Sequence, residues 1–258
     1  MSLRLGIGIV TYNRRALVAE TVTRVLAHTI HPFTLVVADD GSQDGTAGAE
    51  RARGVVVASG RNMGISWNKN RALFYLLALA RCDIAILLED DSYPDSDGRE
   101  REWIVGASKW GHTNIAGGWF ENSFVSGSGS VDDPFHSIDV SAQCSAYSRE
   151  AILYAGYLDS RFKGYGFEHV EHSVRLMRHG YGGEFRTVSG IHRPVHLLIR
   201  GGIKVTHPPS YSNKEDVNRN QALCQLLLRD QSYRAPWHDD AEMAQFRAEM
   251  QGAVNGRT

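Results

Sequence analysis

Through its first ninety residues the chain alternates strand-length apolar runs with segments of helical period. Leu5 to Val10 ends at Thr11-Tyr12-Asn13-Arg14, Phe33 to Ala38 ends at Asp39-Asp40-Gly41-Ser42, Val55 to Val57 follows, and Asp83 to Leu88 ends at Glu89-Asp90-Asp91. Between them, Arg15 to His28 carries Leu17, Val18, Val22, Val25 and Leu26 at helical spacing. A short helix runs to about Arg53, and Ile65 to Ala80 carries Leu73, Leu76, Leu77 and Leu79. Strands separated by helices imply right-handed crossovers, and so a doubly wound α/β sheet with helices on both faces.

Past Pro94 this rhythm breaks. Asp97 to Trp110, Arg149 to Ala155 and Glu168 to His179 read as helices, and Asn114 to Gly118, Ser137 to Tyr147 and Glu184 to Ile191 as strands. The segment Phe124 to Pro134, centred on Gly127-Ser128-Gly129-Ser130, has the composition of a mobile loop that orders on ligand binding. After Pro208-Pro209, helices are expected over about Lys214 to Asp230 and Asp239 to Ala253. The expected organisation is one domain over 1–210, in two halves (1–95 and 96–210), followed by a helical extension over 211–258.

Formal net charge is −1 over 258 residues, so no strong field argues for nucleic acid or an anionic membrane. Cys82, Cys144 and Cys224 are far apart, odd in number and match no zinc spacing, which fits free thiols in a reducing compartment. No basic segment leads into a long apolar core at the N-terminus, and no apolar run reaches membrane-spanning length. The expected location is the cytoplasm; the oligomeric state is not readable.

Glu89, Asp90 and Asp91 stand at the carboxyl end of an apolar strand, where ligands bind in open α/β sheets. Two carboxylates about 4 Å apart repel by roughly 4 kcal/mol at an effective dielectric near 20. A divalent cation relieves that repulsion, and an all-oxygen donor set suits Mg²⁺ or Mn²⁺. The plainer alternative is a solvated acidic turn.

Taken in order, these segments resemble the family-2-like GT-A glycosyltransferases. The resemblance rests on Ile9-Val10-Thr11-Tyr12-Asn13-Arg14, on Val36-Val37-Ala38-Asp39-Asp40-Gly41-Ser42 with Gln43-Asp44-Gly45-Thr46, on Asn62-Met63-Gly64, and on Asn70-Arg71-Ala72-Leu73. It continues at Glu89-Asp90-Asp91, which resembles that family's DXD motif, at Tyr147-Ser148-Arg149-Glu150 and at Gly156-Tyr157-Leu158-Asp159. Gly164-Tyr165-Gly166-Phe167-Glu168-His169-Val170-Glu171 resembles its "GGED" or "GGENxE" stretch, with some likeness there to polypeptide N-acetylgalactosaminyltransferases and β-1,4-galactosyltransferases. The resemblance spans about residues 3 to 207. It implies a Rossmann-like mixed sheet and a transferase moving a sugar from a nucleotide donor, UDP-linked first of all, to a glycan, protein or lipid-linked acceptor.

The same resemblance implies roles. Thr11, Tyr12, Asn13, Arg14, Asp39, Asp40, Asn62, Gly64, Asn70, Glu89 and Asp90 would bind the nucleotide-sugar, Asp40 reading the base through its imide nitrogen. Asp91 would bind the metal, completed by His192 or by His207. His169 stands where inverting relatives carry an aspartate base. Glu168 and Glu171 are the other catalytic candidates, and whether configuration is inverted or retained stays open. Each residue has a plainer reading: a helix cap at Asn13, an Asx-type turn at Asp39-Asp40-Gly41, a decorated helix N-terminus at Glu168, packing for Trp119 and Phe120, which could otherwise stack on a sugar. Two other functions remain: a sugar nucleotidyltransferase, although Gly6-Ile7-Gly8 lies inside a strand rather than in a phosphate loop, and a non-catalytic nucleotide- or sugar-binding module on the same fold.

Overall fold

The computed structural model describes residues 3–206 and 213–255. The first half holds β1 (Leu5–Thr11), α1 (Arg15–His28), β2 (Phe33–Asp39), α2 (Thr46–Ala52), β3 (Val56–Ser59), α3 (Ile65–Phe74), β4 (Ile84–Glu89) and β5 (Ser92–Pro94). Next come α4 (Glu100–Trp110), β6 (His112–Ile115), β7 (Phe124–Ser126), β8 (Phe135–Ser137), β9 (Cys144–Ser148) and α5 (Arg149–Ala155). The chain closes with α6 (Glu168–Arg178), β10 (Gly183–Val188), β11 (Ile191–Ile199), β12 (Ile203–Val205), α7 (Lys214–Leu227) and α8 (Asp240–Asn255).

A ten-stranded mixed sheet forms the centre, in the order β3-β2-β1-β4-β9-β6-β11-β8-β7, with β10 paired to β11. β1, β2, β3 and β4 are parallel, the arrangement expected of apolar runs linked by helices. β9 then enters antiparallel between β4 and β6, which makes the sheet mixed as the family resemblance implied. The strand expected over Ser137 to Tyr147 is split into β8 and β9, and β11 is a central strand that periodicity did not find.

The sheet separates two cores. On one face α1 and α4 bury Val18, Val22, Val25, Trp103 and Ala107 against Ile7, Ile9, Ile86 and Leu88. On the other, α3 and α5 bury Trp67, Leu73, Leu76 and Ile152 against Val36, Ala38, Ala85 and Leu87. Phe246, Met250 and Ala253 of α8 belong to this second core, with the Phe246 ring 5.2 Å from that of Trp67. The helix expected as part of an extension therefore packs against β3 and α3 of the first half.

The Gly/Ser segment forms the tight β7–β8 hairpin, closed by Ser128 and Gly129 backbone N–H groups donating to Asp133 O. Gly127 and Gly129 have φ of 93° and 81°, and a Cβ on Gly127 would lie 1.9 Å from Pro134 O. The glycines serve backbone geometry here, and the segment borders neither of the two cavities described below.

Three histidines are buried under α6. His112 stacks on Tyr147 at 4.5 Å and binds Ala146 O through Nδ1 at 3.0 Å, and His172 binds Gly156 O through Nε2 at 3.0 Å. Burial holds His112 down to about 4, against the Ala146 carbonyl, and holds His196 down to about 3. Burial also holds His172 well below its ordinary value, with Arg175 adding to the effect. The unfolded chain therefore binds more protons below its histidine pKa near 6.5, so stability is full above that pH and falls as pH drops towards about 4. His112 alone accounts for a loss on the order of 3 kcal/mol. Urea unfolding from pH 7.5 to 4.5 should show the decline beginning near pH 6.5, above the carboxylate range; a flat profile down to pH 5 would contradict it.

Candidate active site

The carboxyl ends of β1, β2 and β4 open on a cavity of about 610 Å³ lined by Thr11, Tyr12, Arg14, Asp40, Asn62, Gly64, Asn68, Glu89 and Asp90. Gly164, Tyr165 and Asp216 close its other side. A second cavity of about 280 Å³ is lined by Glu89, Phe120, Gln143, Tyr165, Glu168, His169 and His196, among others. Glu89 and Tyr165 border both.

Asp90 is fixed from two sides. Thr11 Oγ1 donates to its Oδ2 at 2.7 Å, and Thr21 Oγ1 to its carbonyl at 2.7 Å. One nitrogen of Arg14 reaches Asp90 Oδ1 at 2.7 Å and Asp91 Oδ2 at 3.1 Å, so the two carboxylates converge on a single positive charge. Burial pushes the Asp90 carboxyl up, against the Thr11 hydroxyl and Arg14. Two convergent carboxylates fit a hard divalent cation, because Mg²⁺ is commonly held by one or two carboxylates with phosphates and water completing the shell. Among the described residues no group of three or more His, Cys, Asp or Glu side chains could hold a metal ion.

His192 does not complete that site. Leu198 of β11, Asn114 of β6, Ser145 of β9 and Leu87 of β4 form one row across the sheet, and β11 runs parallel to β4. His192 precedes Leu198 by six residues, about 20 Å back along the strand, while Asp91 lies beyond the opposite end. It is exposed near the β10–β11 turn, its ring against Phe185. His196, further along the same strand, is buried and lines the second cavity. His207 lies outside the described residues.

Asp39 and Asp40 divide the two readings of their turn. Asp39 is buried, accepts from Ser42 N at 3.3 Å and Ser59 Oγ at 2.9 Å, and borders neither cavity. Asp40 lines the first cavity, its Oδ1 accepting from Met63 N at 3.0 Å and Arg71 at 2.8 Å and its Oδ2 from Gly64 N at 2.9 Å. Oδ2 thus keeps a lone pair for a further donor. Asn13 sits at φ 51° and accepts from Gln43 N, shaping the turn rather than the cavity. Asn70 also lies away from the cavity, clamping the Leu158 backbone through Nδ2 at 2.8 Å and Oδ1 at 3.0 Å. Its neighbour Asn68 faces the cavity, with Nδ2 on Thr11 O and Ala38 O. Gly64, at φ 95°, packs on Gly164, where an added Cβ would lie 2.8 Å from Gly164 N, so the two halves meet backbone to backbone.

On the acceptor side, Phe167 at φ 66° presents Glu168 at the start of α6. Lys69, 2% exposed, reaches Glu168 Oε1 and Glu89 Oε1 at 3.4 Å each. Burial pushes the Glu168 carboxyl up, but the Lys69 ammonium and then His169 outweigh it and hold it at about 2. Burial lowers the Lys69 ammonium, but Glu168 and then Glu89 outweigh it and leave it raised. Glu168 Oε2 is buried without a partner among the described residues. His169 places Nδ1 3.3 Å from Glu168 Oε1 and Nε2 3.1 Å from Val140 O, so both ring nitrogens face oxygen acceptors. Glu171 lies elsewhere: both its oxygens bind Arg175, at 2.8 and 3.1 Å, and Arg175 in turn donates to Ala155 O and Tyr157 O. That ion pair anchors α6. Lys69, Asn68, Tyr165 and His196 were not among the expected site residues, although Tyr165 lies inside the segment that carried the resemblance.

Residues 7–126 match the family model described as Glycosyl transferase family 2. The fold is similar to mannosyltransferase PcManGT from Pyrobaculum calidifontis in complex with GDP-Man and Mn²⁺, with TM-score 0.57 and 14% identity over 100% of this chain and 73% of that one. It is also similar to GalNAc-T7 with UDP, GalNAc and Mn²⁺ (TM-score 0.58, 14% identity, 96% of this chain and 55% of that one). A third likeness is to S. aureus TarS 1–349 in complex with UDP-GlcNAc (TM-score 0.56, 15% identity, 98% and 72%). The fold is therefore that of the GT-A glycosyltransferases. A hyaluronan synthase from Pasteurella multocida is 25% identical over 72% of this chain, which spans about a quarter of that relative, 24% of its length.

Replacing Lys69 with methionine would leave Glu89 and Glu168 buried without their cation. Breaking a buried pair in this way costs about 3–5 kcal/mol. Urea unfolding at pH 7.5 should show that loss, and at pH 5 the deficit should narrow as the freed carboxyls take up protons. Equal stability of Lys69→Met and wild type at pH 7.5 would contradict the bridge.

Proposed function

We propose that the chain transfers a sugar from a nucleoside-diphosphate donor, UDP-linked, to a hydroxyl of a glycan, protein or lipid-linked acceptor. The observation that carries this reading is the meeting of two cavities at Glu89 and Tyr165. Group transfer between two substrates needs two pockets with a shared wall at the reacting centre. The first cavity takes the nucleotide, with Asp40 Oδ2 free to accept an N–H from the base and Tyr12 at the rim. Arg14, Asp90 and Asp91 stand where the diphosphate would lie. A divalent cation, Mn²⁺ or Mg²⁺, held there by Asp91 and Asp90 would act as a Lewis acid and stabilise the departing diphosphate.

The second cavity takes the acceptor. Its apolar walls include Phe120 and Phe167, and its polar end holds Glu168. An acceptor hydroxyl donating to Glu168 Oε2 satisfies the one oxygen of that carboxylate that lacks a partner. A carboxylate held near 2 is a weak base, so it first orients the hydroxyl and takes its proton as the diphosphate separates. His169, with both nitrogens engaged, positions Glu168 through Oε1.

Glu168→Gln should lower turnover by roughly 10²- to 10⁴-fold, the range for one acid/base group, while UDP affinity stays within about twofold. His169→Ala should cost less, since it leaves Oε2 in place. Steady-state kinetics and calorimetry on the two variants check this; an active Glu168→Gln beside an inactive His169→Ala would return the base to His169.

Binding of UDP should need the divalent cation through Asp91. Titration with Mn²⁺, with Mg²⁺ and with EDTA should give tight, intermediate and weak binding, and Asp91→Ala should bind UDP with Mn²⁺ no better than wild type with EDTA. Equal affinity across all conditions would remove the cation from the reading.

A further inference from the structure

Arg71 is fully buried and links three parts of the nucleotide side. One terminal nitrogen donates to Asp40 Oδ1 at 2.8 Å and Asn68 Oδ1 at 3.1 Å, and the other to Arg61 O at 2.9 Å. Its Nε donates at 2.9 Å to Glu249 Oε2, a carboxylate of the last helix, α8. The same oxygen accepts from Trp67 Nε1 at 2.9 Å, and Glu249 Oε1 accepts from Gln245 at 2.9 Å. Glu249 fills the space beside Gly60, where an added Cβ would lie 2.3 Å from its carboxyl. Thus a residue from near the chain's end is wedged between the end of β3 and the start of α3, behind the loop whose Met63 and Gly64 N–H groups hold Asp40.

We infer that Glu249 is a positioning residue for the base end of the donor cavity, an inference that rests on the reading of that cavity as the nucleotide site. The guanidinium of Arg71 lies between two carboxylates, Asp40 towards the cavity and Glu249 behind it. With both present, Arg71 is balanced and Asp40 Oδ1 is shared between Arg71 and Met63 N. Without Glu249, the Arg71 Nε–H and the Trp67 N–H lose their acceptor in a buried place, and Asp40 becomes the guanidinium's only carboxylate. The relief open to that arrangement is for Arg71 to move onto Asp40, which displaces the 61–64 loop and turns Oδ2 away from the base. The phosphate end, at Arg14, Asp90 and Asp91, is held directly by Thr11 and Thr21, and Arg71 reaches it only at second hand, through Asn68 on the Thr11 carbonyl.

The test compares two ligands on the full chain. Calorimetry in Mn²⁺ measures UDP and inorganic pyrophosphate against wild type, Glu249→Ala, Glu249→Gln and Met250→Ala. Loss of Glu249 should weaken UDP about tenfold, as for an unmade buried hydrogen bond, and leave pyrophosphate unchanged. Glu249→Gln keeps the shape and one acceptor, so it should fold even where Glu249→Ala does not, and should weaken UDP alone by about threefold. Met250, next on the same helix and buried in the same core, is the control for mere loosening of α8. Met250→Ala should lower Tm and leave the ratio of UDP to pyrophosphate affinity as in wild type. Unchanged UDP affinity in both Glu249 variants, an equal loss for both ligands, or the same ratio change in Met250→Ala overturns the inference. Wild-type protein that binds pyrophosphate but not UDP overturns the donor-site reading and the inference together, whereas wild-type binding of UDP with indifferent Glu249 variants overturns the inference alone.

Discussion

The site depends on one buried ammonium. Glu89 borders both cavities, Asp90 lines the first with Asp91 next to it in sequence, and Glu168 lines the second, a concentration of negative charge that a folded chain cannot hold without compensation. Arg14 balances Asp90 and Asp91 from the solvent side, and Lys69 balances Glu89 and Glu168 from within. Lys69 stands on α3, which starts where Gly64 rests on Gly164. The contact of the two halves and the charge that stabilises it are therefore supplied by one helix, and the carboxyl end of β4 can lie against the start of α6.

What was legible in the sequence follows from burial. β1, β2 and β4 are buried on both faces, so they read as unbroken apolar runs, and the acids that end them stand out. β11 was missed because its first half, Ile191-His192-Arg193-Pro194, is polar, carries a proline and pairs there only with β10; its apolar second half joins the sheet between β6 and β8. The same blindness hid where His192 and His196 lie on this strand. Spacing alone cannot say that a hairpin turn sends one of them outward and the other under α6.

Asn68 and Asn70 show a different limit. Every residue from Ser66 to Leu73 is buried, so this helix has no polar face to mark which side meets the cavity. Asn70 carried the resemblance and proved to be a clamp on the Leu158 backbone, while Asn68 faces the cavity. At the Asp39-Asp40 turn the structure gives Asp39 to the turn and sets Asp40 on the wall of the first cavity. Adjacent positions at a strand end point to opposite sides, so one carboxylate closes the turn and its neighbour faces the ligand. Glu249 could not be read at all, because its partners Arg71 and Trp67 lie 178 and 182 residues away in sequence.

The packing of α8 on β3 and α3 also bears on how the protein is made. A ribosome delivers the β1 to β4 segment first, and domains generally begin to fold as they emerge. Here the face formed by Trp67, Phe74 and Leu76 waits for Phe246, Met250 and Ala253, which are synthesised long after it. Until then the nascent first half carries an uncovered apolar surface. Translation that stops short of α8 would release a chain with a wound sheet and an open flank, a substrate for chaperones or for aggregation. α8 is thus a late closure as well as a packing element: it covers the flank of the first half only once the chain has been made as far as Ala253.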